Sequence, residues 1–86
     1  MFVLIVEDER LAQTALENVL SARSDVEHFD SANDAIEALE KLATDAYDVL
    51  LLDINMLDLP GTELLDQLRE RNRPLPSIVF VTAQVE

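Results

Sequence analysis

The sequence predicts an α/β fold, a small parallel sheet with helices packed on both faces. Three observations carry the prediction. Apolar runs alternate with stretches of helical periodicity in the order β-α-β-α-β-α-β. Three of the runs, Val3-Leu4-Ile5-Val6, Val49-Leu50-Leu51-Leu52 and Ile78-Val79-Phe80-Val81, lack the polar alternation of a half-solvated strand, so they read as strands covered on both faces. The connections are short, as right-handed crossovers between neighbouring parallel strands require.

Each element has its own warrant. The first strand is residues 2–6. Residues 10 to about 22 are helical, with Leu11, Ala12, Ala15, Leu16, Val19 and Leu20 at the spacing of one apolar face. Asp8 and Glu9 precede this helix, where its positive end favours carboxylates. Residues 26–30 alternate, with Val26, His28 and Asp30 against Glu27 and Phe29, and predict a short, more exposed edge strand. Ser31 or Asn33 is placed to cap a second helix, which runs to about residue 44 and buries Ala35, Ile36, Leu39, Leu42 and Ala43. Residues 45–48 turn into the third strand, with Tyr47 packing at its entrance. Pro60-Gly61 marks a loop, residues 62 to about 71 a third helix with Leu64, Leu65 and Leu68 inward, and Pro74 and Pro76 its end. Residues 77–82 form the fourth strand.

Burial suggests the sheet order. An exposed second strand and three covered ones fit the flavodoxin-like order 2-1-3-4, whose ligand sites lie at the carboxyl ends of strands one and three, where the winding reverses. In this order the fourth strand is outermost among those present. Burying Val, Ile or Phe is worth about 1.5–3 kcal/mol each, and a bare apolar edge is a template for another chain. Residues 77–82 are therefore the expected contact of a homo-oligomer.

Composition narrows the function. The 86 residues make one domain, with 18 Asp plus Glu against 6 Lys plus Arg and a formal charge of −12. Such a surface repels phosphate backbones, so direct nucleic-acid binding is not expected, whereas hard cations and basic partners are attracted. The absence of cysteine excludes disulfides and thiolate metal sites. No apolar run approaches the roughly 20 residues of a membrane span. The five-residue apolar start lacks a basic flank and leads into Glu7-Asp8-Glu9, unlike a signal peptide. A cytoplasmic protein is expected.

Strand one ends in Glu7-Asp8 and strand three in Asp53. Carboxylates brought together at the winding reversal repel one another unless a cation compensates. Mg²⁺ suits one or two carboxylates, a carbonyl and several waters. Separate surface acids at strand ends are the plain alternative. His28, with no second His or Cys beside it, is read as a surface residue, and Met56 as core packing.

These residues also carry a family resemblance. Val3-Leu4-Ile5-Val6-Glu7-Asp8-Glu9 resembles the opening of response-regulator receiver domains of two-component signalling. Asp48 to Met56, with Gly61 eight residues after Asp53, resembles their phosphoacceptor strand and loop, and Val79-Phe80-Val81-Thr82-Ala83 their fourth strand and switch hydroxyl. The resemblance implies a role for each residue. Asp53 would accept a phosphoryl group from the phosphohistidine of a sensor histidine kinase or from a small phosphodonor. Glu7, Asp8, Asp53 and the backbone carbonyl of Asn55 would hold Mg²⁺. The Thr82 hydroxyl, on a residue type that also favours strands for its own sake, would bond a phosphoryl oxygen beside the small Ala83. Such a protein is a phosphorelay module and not an enzyme. Residues 71–83 further resemble regulators with a LytTR-type, DNA-binding output domain.

The chain departs from the pattern in two places. Leu57 stands where receivers usually have Pro. Receivers also continue into a fourth helix, a Lys-bearing fifth strand and a fifth helix, whereas the sole lysine here is Lys41, in the second helix. The resemblance therefore implies a C-terminally truncated, incomplete receiver over residues 1–86, with phosphorylation impaired. Two other functions compete. One is a non-catalytic dimerisation module built on the edge of strand four. The other is a Mg²⁺-dependent phosphohydrolase of the haloacid-dehalogenase type, which needs a second Asp two residues after the nucleophile, where Asn55 stands.

Overall fold

The structure, a computed structural model, describes residues 1–53, 61–70 and 75–81. In chain order the elements are β1 (Phe2–Val6), α1 (Arg10–Ser21), β2 (His28–Ala32), α2 (Ala35–Thr44), β3 (Val49–Asp53), α3 (Gly61–Glu70) and β4 (Ser77–Val81). The four strands form one parallel sheet in the order β2-β1-β3-β4, as the burial pattern predicts.

The central strands are covered on both faces because their side chains alternate between two cores. Leu4, Val6, Leu50 and Leu52 point to one side, where they meet Ala35 and Ala38 of α2, Leu68 of α3 and Tyr47. Val3 and Ile5 point to the other, against Leu20, with Leu16, Phe29, Val49 and Leu51 partly buried around them. Ala35 and Ala38 allow α2 to lie close on the sheet.

The helices begin where side chains can satisfy their first amides. Glu9 caps α1 by accepting from the Leu11 amide. Asp34 caps α2, its Oδ1 accepting from the Glu37 amide at 2.7 Å. The expected caps Ser31 and Asn33 serve otherwise. Ser31 is still in β2 and donates to Glu17 Oε2 of α1 at 2.6 Å, while Asn33 donates its amide to Glu37 Oε2.

Three further expectations are corrected. β2 begins two residues later than residue 26 and runs on to Ala32, because the Val26 amide donates back to the Arg23 carbonyl in a turn and the ladder opens at the Phe2–His28 pair. The buried line of α1 is Ala12, Leu16 and Leu20, an i, i+4, i+8 row. Leu11, Ala15 and Val19 form the adjacent row and are exposed, as are Ile36 and Ala43 of α2. Finally, β4 is the outermost strand on its side among the described strands, as the order implies, but its apolar run is not covered on both faces: Val79 is 46% and Phe80 47% exposed.

Candidate acidic metal and phosphoacceptor site

The β-ladder itself assembles the site. Val6 pairs with Leu52, so the next position on each chain places Glu7 beside Asp53 at the carboxyl ends of the two central strands. Asp8 follows before α1 begins. Glu7, Asp8 and Asp53 each offer a carboxylate oxygen, and these oxygens all lie within 4.8 Å of one another. Glu7 is 1% and Asp53 4% exposed, while Asp8 faces solvent. The three predicted carboxylates thus converge. Asn55 and Thr82, the other two predicted site residues, lie outside the described residues, as do Met56, Leu57 and Ala83.

Glu7 is fixed at several points. Its amide extends the β1–β2 ladder by donating to the Ala32 carbonyl at 3.1 Å. Its carbonyl accepts from Gln13 Nε2 at 3.2 Å, and its Oε1 accepts from the Glu9 amide at 2.9 Å. The remaining oxygen, Oε2, is buried with no hydrogen-bond partner among the described residues. Burial pushes the Glu7 carboxyl up to about 7. The charges of the neighbouring Asp53 and Asp8 act in the same direction, against the Glu9 amide.

This donor set suits a hard cation. A buried carboxylate oxygen without a donor is costly, and oxygen-only ligation by carboxylates is the chemistry of Mg²⁺ sites. The residues present therefore fit the ion that the sequence suggested.

Sequence reasoning missed two supporting groups. Gln13 joins the Glu7 carbonyl to Asn33 Oδ1; its signal was a polar residue flanking the buried row of α1 on the side away from the exposed row. Asp30 accepts from the buried Tyr47 hydroxyl at 2.5 Å and contacts His28 Nε2 at 3.0 Å. Tyr47 is therefore a core residue with a polar tether as well as a strand-entrance residue. Lys41 lies on α2, near enough to Asp30 to lower its pKa.

A doubly wound parallel sheet with acids at its winding reversal defines a class of α/β proteins that bind ligands at strand ends. A sequence profile of the response regulator receiver domain matches residues 3–86, and the chain belongs to that family. Among its relatives are the sensory transduction protein LytR of Staphylococcus haemolyticus, 40% identical over 83 residues, and the transcriptional regulatory protein LytR of Staphylococcus aureus strain N315, 36% identical. The matches cover 96% of this chain but 32% and 33% of those proteins, so the chain spans about a third of their length. The MaeR response regulator bound to beryllium trifluoride superposes with a TM-score of 0.86 at 28% identity, over 100% of this chain and 70% of that one. A complex of the histidine kinase ThkA with the response regulator TrrA gives a TM-score of 0.80 at 28% identity, over 99% and 71%.

Proposed function

We propose that this chain is the phosphoacceptor part of a two-component response regulator, phosphorylated on Asp53 in the presence of Mg²⁺ held by Glu7, Asp8, Asp53 and the Asn55 carbonyl. The observation that carries this is the convergence of three carboxylates at the ends of β1 and β3, with Glu7 Oε2 buried and lacking a donor among the described residues. A bound cation neutralises charge on the phosphoryl oxygens. The chain's own residues do the rest. An Asp53 carboxylate oxygen attacks phosphorus, the P–N bond of a phosphohistidine breaks with its electron pair returning to the imidazole, and an acyl phosphate forms on Asp53. Burial of Asp53 keeps competing water from the nucleophile, and the Thr82 hydroxyl receives a phosphoryl oxygen through a hydrogen bond.

The phosphodonor is a sensor histidine kinase, a reading supported by the kinase partner of TrrA. The product is a signalling state, so the protein is a cytoplasmic module and not a turnover enzyme. The full-length protein carries an output domain, DNA-binding in kind, a reading supported by the regulators named above. The sole lysine of the 86 residues is on α2.

Beryllofluoride with Mg²⁺ mimics the phosphorylated carboxylate, as the ligand of MaeR illustrates. Titration is expected to show binding by the wild type and none by Asp53→Ala; retained binding in the variant would sink the assignment. Steady hydrolysis of phosphate esters would favour a phosphohydrolase instead, against the amide at Asn55.

A second reading concerns assembly. The half-exposed Val79 and Phe80 on the outer strand favour pairing of β4 with β4 of a second copy. Light scattering of the 86-residue chain should then report a dimer that Phe80→Ser weakens. A monomer at high concentration removes this reading and leaves the first untouched.

A further inference from the structure

We propose that Gln13 is a positioning residue for the acidic site, a bracket that sets the peptide carrying Asp8 and ties it to the start of α2. The proposal rests on the Mg²⁺ reading above. One side-chain amide makes two bonds from Nε2, to the Glu7 carbonyl at 3.2 Å and to Asn33 Oδ1 at 3.1 Å. The Glu7 carbonyl belongs to the Glu7–Asp8 peptide. A donor fixed on it limits rotation of that peptide, and with it the direction in which the solvent-facing Asp8 carboxylate leaves the chain. Asn33 is in turn held, its amide and Nδ2 both donating to Glu37 Oε2 at 3.2 and 3.3 Å.

The chain of contacts Glu7–Gln13–Asn33–Glu37 therefore spans three elements: the end of β1, the first turns of α1, and the β2–α2 connection with the first turn of α2. The other bonds on Glu7 come from its immediate surroundings, the Glu9 amide two residues on and the Ala32 carbonyl beside it in the sheet. Gln13 Nε2 is the side-chain bond that ties the Glu7 carbonyl to α1, beside the helical bond from the Gln13 amide to the Glu9 carbonyl at 2.9 Å. Without it the turn keeps its local bonds but gains freedom at the Asp8 peptide, which costs affinity when a cation must gather three oxygens at once.

The test compares Gln13→Met, which keeps side-chain length and removes both donors, with Ser31→Ala. The latter removes a tether between α1 and β2, Ser31 Oγ to Glu17 Oε2 at 2.6 Å, that touches none of Glu7, Asp8 and Asp53. Mg²⁺ affinity measured by calorimetry is expected to fall about tenfold in Gln13→Met, to fall less in Asn33→Ala, and to hold in Ser31→Ala. In metal-free protein, the ¹⁵N shift of the Asp8 amide is expected to move in Gln13→Met and not in Ser31→Ala. Unchanged Mg²⁺ affinity in Gln13→Met, or equal losses in Gln13→Met and Ser31→Ala, overturns the proposal. A wild type that takes up no Mg²⁺ overturns the metal reading; the Asp8 amide in metal-free protein then decides Gln13, whose role falls if that signal is unmoved.

Discussion

Asp30 lies in β2 and Glu7 just past the end of the neighbouring β1, and their surroundings treat the two carboxylates in opposite ways. Asp30 is given donors. The Tyr47 hydroxyl on one oxygen holds it below the usual carboxylate range against the desolvation of partial burial, with smaller help from His28 and Lys41. Glu7 is taken further from water, keeps one amide on Oε1 and, among the described residues, no donor on Oε2, and is pushed up to about 7. The sheet tolerates both. The first arrangement stabilises the fold, since the acid joins the core residue Tyr47 to β2. The second destabilises it at neutral pH and leaves an oxygen for a cation to use. The carboxylate proposed to bind a cation is the one the fold leaves under-satisfied.

The largest expected effect follows from Glu7. Its folded-state pKa stands above the ordinary 4.5, so the folded state binds the extra proton. The associated stability is fully present below pH 4.5 and is lost as pH rises through about 7. Across that interval stability falls as pH rises. Chemical denaturation of metal-free protein from pH 5 to 8 measures it. Glu7→Gln should flatten the curve, and millimolar Mg²⁺ should restore wild-type stability at the upper end. A flat wild-type curve would erase the contrast between the two acids.

Next comes Tyr47→Phe, which keeps the packed ring and removes the donor to Asp30. A hydrogen bond to a charged, partly exposed acceptor predicts a cost of about 1–2 kcal/mol in urea denaturation. No change would mean that Asp30 is satisfied without Tyr47. The smallest effect is on the acid side. Because the folded-state pKa of Asp30 is depressed, its contribution is present above the ordinary value of 3.8 and is lost as pH falls through the folded value. Asp30→Asn should remove that limb of the acid-unfolding curve and leave the limb between pH 5 and 8 in place.

The same two acids show how far the sequence could be read. Asp53 and Glu7-Asp8 were legible because each ends an uninterrupted apolar run, and the sheet order then brings the runs together. The order was legible because burial on both faces leaves a strong mark on composition. The role of Asp30 was not, since its partner Tyr47 is 17 residues away and only the folded sheet joins them. Gln13 was missed for the same reason. The faces of α1 were misjudged because rows 11-15-19 and 12-16-20 are equally apolar, and only the docking angle chooses between them. The start of β2 slipped because alternation over five residues does not exclude a turn at its head. Local pattern thus gave the elements and their order, whereas the bounds of β2 and the hydrogen bonds between elements had to wait for the structure.

The Val6–Leu52 register has one more consequence, and it is temporal. Glu7 and Asp53 are 46 residues apart in the chain, and no local segment contains both. During refolding the three acids can meet only after β1 and β3 have zipped together, a long loop closure that comes at an entropic cost. A luminescent trivalent ion added to refolding protein would then act as a clock. Its signal would time the pairing of the two central strands, separately from the helix signal that α1 and α2 can give earlier.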